Sequence, residues 1–177
     1  MLKDRSGAFE LLQSLGAPDR LIRHAHVVSQ AADTLLMEFK ALGVSCETLT
    51  VELGSVLHDT GKTQHTQELS VSGTRHQQAG EAILLAHGVQ PEVARCCVSH
   101  GAGSWSRPEV TFEERIVALA DKLWKGKRIA ELELSIMDEI AIRLGISRPD
   151  IFEKLDATFE GIAAGGAERL QQCKTYS

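Results

Sequence analysis

The sequence has no run of about 18 or more apolar residues, so nothing in it reads as a membrane-spanning helix. Its first residues, Met1-Leu2-Lys3-Asp4-Arg5, lack the apolar core of a signal peptide, and the expectation is a cytoplasmic protein. Cysteine is sparse. Cys46, Cys96, Cys97 and Cys173 form no C-x-x-C pair, and the adjacent Cys96 and Cys97 would diverge on a helix, which fits neither a zinc knuckle nor a disulfide framework. Reduced thiols are expected. Positive charge is in short supply too: 19 Lys and Arg against 24 Asp and Glu leave a net charge of -5. Broad nucleic-acid binding draws most of its affinity from a basic face, so no nucleic-acid partner is expected. Strand-like alternation of convincing length, internal repeats, low-complexity segments and charged linkers are all missing.

What remains is helical periodicity. From Pro18 to about Leu42, the apolar residues Leu21, Ile22, Ala25, Val28, Ala32, Leu35, Leu36 and Phe39 recur at spacings of three and four, with Pro18 suited to the first turn and Gly43 to the stop. A second helix is predicted from about Glu47 to His58, with Leu49, Leu53, Val56 and Leu57 inward and Gly61 ending it. The segment Thr63 to Ser72 is polar and aperiodic and reads as a loop. Further helices are predicted over Arg75 to Ala86, Pro91 to His100, Phe112 to Lys125, Ala130 to Leu144 and Pro149 to about Cys173, with Ser147 and Asp150 marking the last joint. The glycine-rich stretch from Gly101 to Pro108 is a loop. The fold class is all-α, a compact multi-helix bundle. At 177 residues the chain is expected to form a single unit over 1–177, with 129–177 as a C-terminal helical extension packed on it.

The chemistry centres on His58-Asp59 at a helix end. His24 lies upstream near a helix start, and His76, His100 and Asp121 follow, each on its own predicted helical segment. Imidazole nitrogen with carboxylate oxygen suits Fe, Mn, Zn, Co or Ni better than Mg or Ca. Four histidines and two aspartates exceed what one ion with open positions needs, which points to two divalent ions. Consecutive helical side chains diverge by about 100°, so Asp59 can bridge two ions while His58 binds one. Close ion pairs of this kind activate water and clamp the attacking and leaving oxygens of a phosphoryl group, so phosphoester hydrolysis is the expected reaction. Asp121 is informative because it interrupts the apolar run IVALADKL, where an unpartnered carboxylate would be costly to bury.

The order His24, His58-Asp59, His76, His100, Asp121 resembles the HD-domain phosphohydrolase superfamily. The matching context is RHAHVVSQAA, SVLHDTGK, RHQQAGEAIL, CCVSHG and IVALADKL, spread over roughly Asp19 to Arg128. The resemblance implies an all-helical, metal-dependent enzyme that hydrolyses phosphomonoesters, phosphodiesters or phosphoanhydrides, often of nucleotides. It also implies a minimal ligand set of His24, His58, Asp59 and Asp121, to which His76 and His100 add the two-metal pattern. Among two-metal branches the pattern is similar to small bacterial proteins that split diadenosine tetraphosphate symmetrically. It is less similar to cyclic-di-GMP phosphodiesterases, whose His-His pair and Gly-Tyr-Pro signature are replaced here by SHGAGSWSRP.

Geometry sets other residues aside. His26 is about 200° around the helix from His24, and His87 lies about 16 Å along the helix from His76. His65 falls in the polar loop. Lys62, just after the signature, is the expected catalytic partner of Asp59, reaching a phosphate oxygen to offset transition-state charge. Arg75, Arg107, Lys122 and Lys125 are weaker phosphate contacts. Trp105 either stacks on a base or anchors its loop, and Gly80 permits close helix approach. The stripe Leu132, Ile136, Ile140, Leu144, Ile151, Phe152, Leu155 and Phe159 reads as core, with a homodimer surface or a wall that sizes the substrate as the alternative. The expected partner is a small phosphorylated substrate, most simply a nucleotide. Two other functions stay open: a di-iron oxygenase of the same superfamily, and a metal- or nucleotide-binding regulatory domain without turnover.

Overall fold

In the computed structural model, which describes residues 1–175, the chain is a stack of helices with no strand among the described residues. Helix α1 (Arg5–Ser14), which the periodicity did not reveal, is started by the Asp4 carboxylate accepting from the backbone N of Gly7. α2 (Asp19–Ala41) follows Pro18 at its N-cap, and its buried residues Leu21, Ala25, Val28, Ala32, Leu35 and Phe39 form the predicted stripe. Ile22 and Leu36 are half-buried at the edges of that stripe.

α3 (Thr48–Leu57) is the centre of the molecule, because its residues from Leu53 onward are buried all round. Val51 faces one apolar core, shared with α2, α7 (Phe112–Leu123), α8 (Ala130–Leu144) and α9 (Arg148–Ala163). Leu53, Val56 and Leu57 face a second core, shared with α1 and the Leu84–Cys97 region. Leu49, expected inward, is instead 38% exposed, since it lies about 200° around α3 from the buried Val51.

The polar segment after His58-Asp59 is less irregular than its composition suggests, with single 3-10 turns over Thr60–Thr63 and Thr66–Leu69. α3 ends at Leu57, before Gly61, and Gly61 serves another purpose. A Cβ there would overlap the carbonyl of His76, so the glycine lets the first of these turns lie directly against α4 (Arg75–Ala86). Gly80 completes the contact: a Cβ on it would come within 2.9 Å of Cys97 Sγ and of Gly61 N.

The segment predicted as one helix from Pro91 to His100 is two short ones, α5 (Pro91–Ala94) and α6 (Cys96–Ser99), divided at Arg95. Arg95 reaches across to the Glu114 carboxylate at 2.5 Å and the Glu109 carbonyl at 2.8 Å. Cys96 and Cys97 diverge as expected, one in each core, and both are free thiols, as is Cys46. The Cys173 side chain lies outside the described ones. α7 opens with a capping box between Thr111 and Glu114, an arrangement worth about 1 kcal/mol. Ser147 and Asp150 form the same device at the start of α9. The last predicted helix is divided at Ala164-Gly165, where Gly165 takes φ +73°, and α10 (Gly166–Thr175) follows. No helix is long and apolar enough to cross a membrane among the described residues.

Candidate metal centre

Five helices deliver six side chains to one point. His24 comes from the first turns of α2, and His58 caps α3 with Asp59 next to it. His76 is the second residue of α4, His100 caps α6, and Asp121 sits in the last turns of α7. Since α3 is buried on all sides from Leu53 onward, its end places His58 and Asp59 at 0% and 2% exposure. His76, His100 and Asp121 are buried as well.

The two oxygens of Asp59 face different partners. Oδ2 lies 3.0 Å from His24 Nε2 and 3.6 Å from His58 Nε2. Oδ1 lies 3.2 Å from His76 Nε2 and 3.4 Å from His100 Nε2. Asp121 Oδ1 stands on the first side, 3.4 Å from His24 Nε2 and 3.6 Å from His58 Nε2. Two donor groups result, His24-His58-Asp59 and Asp59-His76-His100, and within each the donor atoms lie within 4.8 Å of one another.

The hydrogen bonds behind the imidazoles fix which nitrogen faces inward. Nδ1 of His58 meets the Ser55 carbonyl at 3.1 Å, Nδ1 of His100 meets the Cys96 carbonyl at 3.0 Å, and Nδ1 of His76 meets Glu68 Oε2 at 2.6 Å. Each acceptor requires a proton on Nδ1, so in the neutral ring Nε2 points its lone pair at the centre. Asp59 Oδ1 is buried and receives no hydrogen bond, an arrangement that is unfavourable unless a cation joins the donors. This donor set fits a divalent metal ion.

Electrostatics agree. Burial lowers the affinity of His24, His58 and His100 for a proton, which keeps them neutral. Burial alone would raise the Asp59 carboxyl, but His58 and then the other imidazoles hold it well below the ordinary carboxylate range. For Asp121 the same burial is outweighed by Lys125 and Lys122, which lie 2.6 Å and 2.7 Å from its oxygens. Lys62 Nζ is 2.6 Å from Asp59 Oδ2. These three lysines line a cleft of about 470 Å³ over the centre, closed on the far side by the loop from Glu68 to Thr74 and by Gly101-Ala102.

Glu68 was not singled out by the sequence. It is buried, and besides His76 Nδ1 it accepts from the backbone N of Arg75 and of His76 at 3.3 Å and 3.2 Å, capping α4 from seven residues upstream. Gly73 makes room for it, since a Cβ at that position would overlap its carboxylate. A carboxylate in a polar, aperiodic segment has no signature of its own; only its contact with His76 gives it a role.

The residues set aside stay away from the centre. His26 stacks on Phe9 with ring centroids 4.2 Å apart, His87 binds the Ile83 carbonyl at an exposed helix end, and His65 precedes a 3-10 turn. Arg107 lies 4.0 Å from Glu109 in a separate recess, and the Arg75 side chain is exposed outside the cleft lining. Trp105 is 6% exposed and packed in the core, so it anchors its loop and offers no stacking face; Lys122 Nζ lies 6.0 Å from its ring centre.

The family model of the HD domain matches residues 21–124, a span that begins just before His24 and ends just after Asp121. This chain belongs to the HD domain family. The chain is similar to the tRNA (cytidine(56)-2'-O)-methyltransferases of Thermoplasma volcanium and Picrophilus torridus. The first is 32% identical over 146 residues, covering 75% of this chain and 40% of that protein. The second is 30% identical over 152 residues, covering 78% of this chain and 41% of that protein. The chain thus spans about two fifths of the length of these relatives. It is also 27% identical over 157 residues to an uncharacterized protein of Methanocaldococcus jannaschii, covering 81% of this chain and 88% of that protein. No solved structure matches it.

Proposed function

We propose that this chain is a metal-dependent phosphohydrolase that cleaves a phosphoester or phosphoanhydride of a nucleotide or similar small phosphate compound. One observation carries the reading: Asp59 turns one oxygen toward His24 and His58 and the other toward His76 and His100, as a carboxylate bridging two ions would. The proposed ligands are His24, His58, Asp59, His76, His100 and Asp121, and the ions are of the Fe, Mn, Zn, Co or Ni type. Such ions, when bound, lower the pKa of water and offset charge on phosphoryl oxygens. The chain's own groups do the rest. Lys62, Lys122 and Lys125 attract the phosphate into the cleft and stabilise its oxygens as charge builds up. Glu68 keeps the His76 imidazole in the tautomer and orientation a ligand needs. The helices from Ala130 onward are read as an extension packed on the HD unit.

Two relatives are tRNA methyltransferases, which favours a second reading, in which the phosphate belongs to an RNA end. The net charge of -5 weighs against an extended RNA surface, but a terminal phosphate would need only the lysines of the cleft. Both readings are tested by phosphate release from p-nitrophenyl phosphate, mononucleotides, nucleoside diphosphates and end-phosphorylated RNA oligomers, using metal-replete protein. The first expects release from the small compounds, abolished in Asp59→Ala with helicity retained by circular dichroism. Release confined to RNA ends supports the second, and release from none of them refutes both.

A further inference from the structure

Beside the cleft over the metal centre lies a smaller recess of about 150 Å³. The two share Lys62, Leu69 and Lys125 in their linings, and Arg20 stands on the far wall of the recess. The cleft mixes lysines with the carboxylates of Asp59, Glu68 and Asp121; the recess is lined by Arg20, Lys62 and Lys125, adjoins the metal centre through His24, and has no acidic side chain among its described lining residues. Arg5, Arg95, Arg128 and Arg148 are each paired with a carboxylate, whereas Arg20 makes no ion pair among the described residues and donates one hydrogen bond, Nη1 to Ser70 Oγ at 3.2 Å. Ser70 also lines the cleft, and four of the five guanidinium donors make no hydrogen bond among the described residues. Trp124, Leu69 and Leu170 form apolar walls that strengthen the field of these charges.

Resting on the phosphohydrolase reading, we infer that this recess is a subsite for a second phosphate adjacent to the one that reacts, so that the favoured substrates are phosphoanhydrides such as nucleoside diphosphates. The volume equals that of roughly five liquid waters, enough for one phosphate group and too little for a nucleoside. Lys62 and Lys125 line both spaces, so the two phosphates are directly linked. The terminal phosphate lies over Asp59 and Asp121, and its neighbour sits in the recess against Arg20, which can grip it through two parallel N–H bonds. In the reaction the oxygen of water bonds to the terminal phosphorus and the bridging P–O bond breaks. The bridging oxygen keeps the electron pair as part of the nucleoside monophosphate, orthophosphate departs, and the proton passes to solvent.

The test compares ADP with AMP, which differ by that one phosphate, in wild type, Arg20→Ala and Arg20→Lys, each checked for fold by thermal melting. Wild type should favour ADP in kcat/KM by about 10-fold or more, the size expected for a charge-assisted pair. The ratio should fall by about 10-fold in Arg20→Ala, chiefly through KM, and by less in Arg20→Lys. Calorimetry with inorganic pyrophosphate and orthophosphate gives a readout free of turnover: pyrophosphate should bind more tightly, and Arg20→Ala should erase the difference. Hydrolysis of inorganic pyrophosphate as fast as ADP would show that the anhydride alone is recognised, in keeping with the recess; equal rates for AMP and ADP in wild type, or a ratio unmoved by Arg20→Ala, would overturn it. If nothing is hydrolysed the phosphohydrolase reading fails, and the pyrophosphate preference with its loss in Arg20→Ala still decides the subsite.

Discussion

Replacing Gly61 by alanine adds one methyl group at the point where the HD signature turn touches α4, and the structure sets the consequence. The new Cβ would overlap the His76 carbonyl, approach the His76 carbonyl carbon to 2.7 Å and lie 2.6 Å from the Gly80 backbone N, whereas real Cβ atoms essentially never come closer than 3.0 Å. All three atoms are backbone of one helix, so no side chain can swing aside, and α4 must withdraw by on the order of an ångström relative to Asp59. Overpacking of this kind costs about 1–3 kcal/mol, and a purely backbone clash belongs in the upper half. For a chain of this size, about 2–3 kcal/mol lowers Tm by roughly 4–12 °C. The shift also carries His76 away from Asp59 Oδ1 by more than the tolerance of about 0.2 Å that metal–ligand distances allow. Differential scanning calorimetry should therefore show the lowered Tm, and elemental analysis should show less metal per chain than in wild type. A Gly61→Ala protein with unchanged Tm and unchanged metal content would show that the turn and α4 do not need this close approach.

Glu68→Ala should weaken metal binding on the His76-His100 side by about 10- to 100-fold in equilibrium dialysis while leaving the His24-His58 side intact, with partial recovery in Glu68→Gln; equal weakening of both sides would mean that Glu68 is only a loop anchor. The metal-stripped protein should lose stability in acid. His24, His58 and His100 have folded-state affinities for protons lowered by burial, so the stability they permit is present in full above about pH 6.5, their unfolded value, and is lost as pH falls below it. His76 has the opposite sign: burial alone would lower it, but Asp59 and Glu68 raise it, so its contribution is present below about pH 6.5 and disappears as pH rises through its folded value. The urea midpoint should fall from pH 7.5 to 5.5 and fall more steeply in His76→Gln, and a flat or rising midpoint would contradict this assignment of protons.

The convergence of His24, His58, Asp59, His76, His100 and Asp121 was legible because their helices present faces that the apolar periodicity already fixes. His24 lies on the same stripe as Leu21 and Val28, while His26 turns to Phe9. Boundaries were legible where glycine or proline punctuates them, as at Pro18 and Gly43 around α2. They were not at Arg95, where the apolar pattern runs on and a side-chain grip on Glu114 and Glu109 accompanies the break. The Gly165-Gly166 pair does signal the division of the last helix, and the cause is close approach: a Cβ on Gly166 would overlap the backbone of Gly126. Glu68 and Arg20 were hidden for a deeper reason. Their roles depend on what lies opposite them in space, Glu68 under His76 and Arg20 across from Lys62 and Lys125, and neither pairing leaves a periodic mark in the chain.

The central claim is that Asp59 joins two ions. Elemental analysis of metal per chain, on wild type and Asp59→Ala purified with the transition metals replete, addresses it directly. About two ions per wild-type chain are expected, with both lost in Asp59→Ala, because each side of the centre loses an oxygen. One ion per wild-type chain, unaffected by loss of His76 and His100, would contradict it, as would a wild-type protein that retains none.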